Sequence, residues 1–296
     1  MFLILKEIRF RSLLGGVLSY IPGVFSLWDR LRPMGNPRPP EYGRNIFLAR
    51  LANAHAAGLD VKLDTVMELG PGRSLSAPIA ALIHGSQVAI GMDAVAYANS
   101  TENLNVFESQ VKDASLCSER ETELRHAIKV AGNVEQETVL RYRAPWSDES
   151  TIPKDSVDFI FSISVLEHVT DPLGVYQTCF SWLRPGGVMS HKIDHSSHGI
   201  TKHWNGHYWL PDWLWKLILG RRPYAINCWT PDQHHEAALK AGLEIVSMKC
   251  SEPMDHDSIF YDQLSNPRYA NIPRQSLFST TSVLIMRKPD APVSSK

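Results

Sequence analysis

At 296 residues the chain is long enough to bury a full core, and it fits one large domain or one domain with a sizeable insertion. Its 30 Lys and Arg stand against 31 Asp and Glu, so no basic excess points to nucleic acid as a partner. Cys117, Cys179, Cys228 and Cys250 lie far apart with no Cys-x-x-Cys pair; this excludes a disulfide framework and the common zinc and redox motifs, and suits the reducing cytoplasm.

Residues 1–40 read as an apolar and basic extension followed by a proline-rich connector. Lys6, Arg9 and Arg11 precede "SLLGGVLSYIPGVFSLW", which falls short of the ~20 apolar residues a bilayer requires and is interrupted by Gly15, Gly16, Pro22 and Gly23. The run is therefore read as a helical element packed on the domain or forming a homodimer contact, in preference to peripheral attachment to a membrane. From Glu41, apolar residues Ile46, Phe47, Leu51 and Ala54 recur at helix spacing until Gly58. "DTVMELG" then reads as a strand, "APIAALIHG" as a helix, and "SQVAIGMDA" as a second strand ending on Asp93. A charged segment through Glu137 reads as outer helices.

Three further strands follow, "TVLRYRA", "SVDFIFSIS" and "GVMSHKID", the last two separated by a helix that closes on Pro-Gly-Gly. Residues 195–229 form an insertion of aromatic and basic character. The next helix has Thr230 as N-cap, Pro231 in its first turn, Gln233 to complete a capping box and Gly242 at its stop. "LEIVSMKC" and "LFSTTSVLIMRK" have no obvious helix between them and are expected to pair antiparallel at the sheet edge. The expected fold is α/β: a doubly wound, mostly parallel, seven-stranded sheet with an antiparallel edge, spanning 41–288, with 289–296 a disordered tail.

The stretch "VMELGPGRSLSA" places Gly70 and Gly72 after the first strand, but a third glycine, which a dinucleotide fingerprint requires, is missing. Glu68, just before the loop, suits a ligand with positive charge better than a phosphate. Asp93 is placed to accept from both hydroxyls of a ribose. Together they describe a nucleoside joined to a cationic tail.

"ELGPG", "GMD", "DSVDFIFSISVLEHV" and "WLRPGGVM", in this order, resemble the motifs of class I S-adenosylmethionine-dependent methyltransferases, and the resemblance runs from about Glu41 to Lys288. It implies S-adenosylmethionine as cofactor. Gly70 and Gly72 would let backbone approach the methionyl moiety, Glu68 would support the loop and the amino group, Asp93 would hold the ribose, and Ser164 would contact the cofactor from the fourth-strand loop. Two departures matter: Ser74 stands where a third glycine is common, and "RYRAPW" lacks the Asp-Ala pair that often contacts adenine. Adenine recognition is assigned to backbone near Ala144 and Trp146, or to Asp148.

Methyl transfer to a hydroxyl also needs a base. Histidines beyond the fourth and fifth strands are the candidates: His168, and His198 with Asp194, ahead of His195, while His191 reads as a core residue. No known zinc spacing is present, and no metal is assigned. The tryptophans of the insertion are either helix core or a platform for a flat substrate, and Arg221 and Arg222 either bind an anion or lie in solvent. The expected activity is O-methylation of a small-molecule or glycan hydroxyl in a natural-product or polysaccharide pathway. N-methylation of a small amine and an inactive cofactor-binding scaffold are the alternatives.

Overall fold

The computed structural model describes residues 6–24, 38–146, 149–222, 225–254, 258–259 and 266–290. Asp148, most of the proline-rich connector and residues 291–296 lie outside them. Seven strands form one sheet: β1 (Thr65–Leu69), β2 (Val88–Met92), β3 (Leu140–Arg143), β4 (Val157–Ile163), β5 (Leu183–Asp194), β6 (Glu244–Cys250) and β7 (Thr281–Arg287), in the order β3-β2-β1-β4-β5-β7-β6. β4 buries six residues in succession and β1 four, as strands covered on both faces must. β1 to β5 run parallel, and β7 is antiparallel to both β5 and β6. The terminal strands thus pair antiparallel at the edge as expected, and the reversed strand is inserted one position in from it.

Helices α1 (Phe10–Leu18), α2 (Glu41–Ala56), α3 (Ser76–Ile83), α4 (Ser100–Gln110), α5 (Ser118–Val130), α6 (Pro172–Trp182), α7 (Asp212–Leu219), α8 (Pro231–Lys240) and α9 (Arg274–Leu277) complete the regular elements used below. On one face of the sheet, Phe47 of α2, Phe107 of α4 and Leu124 of α5 pack with Phe159 and Phe161. On the other, Tyr176 and Trp182 of α6 and Ala237 and Ala238 of α8 pack with Ile160, Met189 and Ile193. α8 starts with the capping box read from sequence: Thr230 Oγ1 accepts from Gln233 N and Gln233 Oε1 from Thr230 N. The chain leaves β1 toward β2 and β3, then returns to β4 on the other side of β1, which opens a crevice at the carboxyl ends of β1 and β4.

The insertion builds a third apolar cluster in which Tyr208, Trp209, Leu214 and Ile218 meet Ile8, Tyr269, Leu277 and Phe278. Its tryptophans therefore divide: Trp209 is core, whereas Trp213 is exposed. The N-terminal segment belongs to the same unit. Ile8 bridges Thr201 antiparallel, Arg9 N donates to Ile200 O, and His203 Nδ1 lies 2.5 Å from Glu7 Oε2. α1 crosses α7 where Gly16 presses on the carbonyls of Leu217 and Ile218, a contact that any side chain at 16 would block. Of the paired arginines, Arg222 turns onto the Ile218 and Leu219 carbonyls and Arg221 lies over the Tyr20 ring. No helix among the described residues is long and apolar enough to cross a membrane.

Candidate active site

The loop after β1 is built around absent side chains. Gly70 and Gly72 both have φ of +67°, a left-handed conformation that L-residues rarely adopt. A Cβ on Gly70 would lie 2.5 Å from Val165 Cγ2 in the β4 loop, whereas a Cβ on Gly72 would point into open space, and Gly72 lines the large cavity of the crevice. Gly70 is thus bare for the protein's own packing and Gly72 for what enters the cavity. Asp93 holds the loop: its Oδ2 accepts from Gly72 N and its Oδ1 from Ala94 N, both at 2.7 Å. Where a third glycine is common, Asn103 Oδ1 instead accepts from Leu75 N at 2.8 Å and from Ser74 Oγ at 3.2 Å, so the turn is secured by α4.

The cavity measures about 1150 Å³. Glu68, Gly70, Gly72, Asp93, Trp146, Ser164 and His168 all line it, so seven candidates scattered over the sequence converge on one space. Ala144 does not line it; its side chain packs against the core cluster under α2. Trp146 is placed by its N–H to Asp93 O at 3.0 Å and by its ring against Trp182. Ser164 takes a left-handed φ of 52° while its N–H donates to Lys192 O, which turns the chain at the end of β4.

Beside this wall the loops after β4 and β5 meet. The rings of His168 and His198 lie 5.0 Å apart, and His198 Nε2 is 3.3 Å from Asp194 Oδ2. Asp194 Oδ1 also accepts from Ser196 N at 2.8 Å. Ligand atoms of Glu167, His168 and His198 lie within 4.8 Å of one another, a convergence that chain order does not reveal. His195 is spoken for: Nδ1 donates to Trp229 O at 3.0 Å, which leaves Nε2 to accept from Ser282 Oγ at 2.8 Å. His191 is buried with Nδ1 on Ser162 Oγ at 2.7 Å, and burial depresses its pKa to about 3.

Comparison with known proteins gives this geometry a family. A model of the methyltransferase domain matches residues 41–248. The chain belongs to that family. Residues 41–248 are a methyltransferase domain. The ubiquinone biosynthesis O-methyltransferase of Cereibacter sphaeroides is 27% identical over 113 residues, a match spanning 36% of this chain and 42% of that protein, less than half its length. Among solved structures, an S-adenosylmethionine-dependent methyltransferase of Mesorhizobium loti is 16% identical, with 81% of this chain and 97% of that one covered at a TM-score of 0.44. Phosphoethanolamine N-methyltransferase 2 of Haemonchus contortus is 17% identical, with 82% and 53% covered at a TM-score of 0.43.

The charges of the site suit a cationic ligand such as S-adenosylmethionine. Glu68 is buried with Oε2 unpartnered, and burial, then the neighbouring Asp93, raises its pKa to about 8. A buried, unsatisfied carboxyl beside a cavity is what an ammonium or sulfonium would relieve, so the residues fit the group. Burial also raises Asp93, against the hydrogen bonds from Gly72, Ala94 and Val95 that stabilise its ionised form. At the histidines, burial opposes ionisation of Asp194, but the hydrogen bonds from His198 and Ser196 outweigh it and hold its pKa well below the usual carboxylate range. The same pair raises His198. Glu167 is pushed up to about 7, chiefly by burial.

Sequence reasoning gave Asn227 no site role. Its Nδ2 donates to Leu166 O at 2.7 Å and Val169 O at 2.9 Å, while its N–H donates to Glu167 O at 2.7 Å. It clamps the loop that carries Glu167 and His168. The only sequence signal is a polar residue at the end of an apolar insertion, just before a capped helix. Tyr42, Arg73 and Tyr97, which line the cavity, were likewise given no role.

Proposed function

We propose that this methyltransferase acts on a hydroxyl of a small molecule or glycan, with His168 as the base that accepts the hydroxyl proton. The observation that carries the reading is an imidazole on the cavity wall with an Asp194–His198 pair directly beside it. Bound S-adenosylmethionine supplies a methyl group on a cationic sulfur. With the cofactor bound, its methyl would pass to the acceptor oxygen, and the His168 ring on the cavity wall would take up the hydroxyl proton. An aliphatic hydroxyl is a weak nucleophile with its proton in place, so such help is worth about 10²- to 10⁴-fold in rate. Asp194 holds His198 by Nε2, and that pair positions the ring next to it.

The cavity supports a modest acceptor. Its volume of about 1150 Å³ lies just above the upper end of the roughly 300 to 1,000 Å³ of a usual small-molecule site. The name of the Cereibacter relative supports oxygen as the accepting atom. The test is S-adenosylhomocysteine release with matched acceptors, phenols and sugars on one side and primary and secondary amines on the other. Turnover confined to hydroxyls supports the reading; turnover confined to amines replaces it with N-methylation, and tight cofactor binding with no turnover across both sets favours a scaffold.

A further inference from the structure

Nine large apolar side chains stand exposed among the described residues, and seven of them lie on α1, the turn after it, and α7. On α1 and its extension, Phe10, Leu14, Val17 and Ile21 recur at intervals of four, three and four, one stripe along a helix. α7 adds Trp213 and Leu217, four residues apart, with Tyr20 nearby in sequence to the stripe. Phe10 is 77% exposed and Trp213 59%, values that no internal packing role explains.

The two helices that carry these stripes are packed directly on each other. Gly16 seats α1 on the Leu217 and Ile218 carbonyls. Ser19 Oγ donates to Gly16 O at 2.5 Å and accepts from Arg221 N at 2.7 Å, tying the end of α1 to the end of α7. Val17 follows the seating glycine, and Leu217 is the residue whose carbonyl it meets, so the stripes flank the seam.

Charge selects what covers this surface. Residues 6–24 and 211–222 hold six cationic side chains, Lys6, Arg9, Arg11, Lys216, Arg221 and Arg222, against Glu7 and Asp212, although the whole chain has a net charge of −1. Both carboxylates are engaged internally, Glu7 by His203 and Asp212 by Asn266 Nδ2 at 3.0 Å. Of the cations, only Arg222 is half-buried, and it is turned inward; the other five are exposed. A second copy of the chain docked by a two-fold axis would set this cationic rim against itself. An anionic lipid surface meets both components, since apolar and aromatic side chains enter the boundary between headgroups and acyl chains while lysines and arginines pair with lipid phosphates.

We propose that the α1–α7 face is an interfacial docking surface for an anionic bilayer, on which the enzyme lies without spanning it. The test is co-sedimentation of the full chain with phosphatidylcholine vesicles that either lack or contain about one-third phosphatidylglycerol. The expected result is at least about tenfold stronger partitioning to the anionic vesicles, falling severalfold in about 0.5 M salt. Phe10→Asp and Trp213→Asp, both at exposed sites, are each expected to lower that partitioning about tenfold with the parent's thermal unfolding midpoint unchanged. The proposal is overturned if the parent stays in the supernatant with anionic vesicles at low salt, if neutral vesicles bind it equally well, or if variants with parental midpoints sediment as the parent does. It is also overturned if a vesicle-free dimer forms that Phe10→Asp dissociates while the parent binds no vesicle, because a second copy then covers the face.

Discussion

Replacing Asp93 tests the cofactor assignment at the residue where loop and ligand are coupled. In the folded chain the carboxylate takes Gly72 N on one oxygen and Ala94 N on the other, each at 2.7 Å, and it lines the cavity beside Trp146. Asp93→Ala removes both loop bonds and the acceptor offered to a ribose. A hydrogen bond to a charged group is worth about 1.5 to 3 kcal/mol. At 1.36 kcal/mol per tenfold, losing one such bond to the ligand weakens S-adenosylhomocysteine binding about 10- to 160-fold. Asp93→Asn keeps one acceptor oxygen for Gly72 and loses the charge, so its loss is expected at the lower end of that range. Isothermal titration calorimetry on both variants, with thermal unfolding to confirm the fold, gives the comparison. Parental affinity in Asp93→Ala would refute the assignment.

Four further expectations follow from particular contacts. Glu68, with a pKa near 8, is about 90% protonated at pH 7, so binding a cationic ligand against the ionised carboxylate should release nearly one proton; affinity then rises with pH toward 8 and levels above it, and calorimetry in buffers of different ionisation enthalpy should detect no proton release in Glu68→Gln. Gly70→Ala combines a left-handed backbone with a contact on Val165 and should cost about 2 to 5 kcal/mol in denaturant unfolding, with no loss counting against the packing argument. Asn227→Ala releases the loop carrying His168 and should lower kcat about tenfold or more while S-adenosylhomocysteine affinity stays within about threefold; an unchanged kcat would show that the clamp is not needed. Treatment with a chelator should leave turnover unchanged, whereas loss restored by a divalent cation would make Glu167, His168 and His198 a metal site.

The parts of this fold that were legible in the sequence are those fixed by neighbours in the chain. Gly70, Gly72 and Asp93 declared themselves because a strand, a bare turn and a helix follow within a few residues, and the Thr230 capping box is local by construction. At Ala144 the sequence reading concerned backbone, and only the structure shows that its side chain packs against the core while Trp146 lines the cavity. Asn227 was invisible for the opposite reason: it reaches Leu166 across 61 positions, and nothing in either segment announces the other. The extension's seat on α7 depends on Gly16, a residue that reads as a helix breaker until the carbonyls it meets are seen. The insertion's aromatics were ambiguous because burial is not a property of composition; Trp209 and Trp213, four residues apart, take opposite environments.

The central claim is that a histidine at the ends of β4 and β5 removes the acceptor proton. Single-turnover rates of His168→Ala, His198→Ala and Asp194→Asn, each set against S-adenosylhomocysteine affinity measured on the same sample, test it most directly. The account predicts a loss of about 10²- to 10⁴-fold for His168→Ala with cofactor affinity retained, and smaller losses for the two positioning variants. If all three turn over within a few-fold of the parent while binding the cofactor normally, no base of this kind operates, and proximity alone, or an amine acceptor, accounts for the methyl transfer.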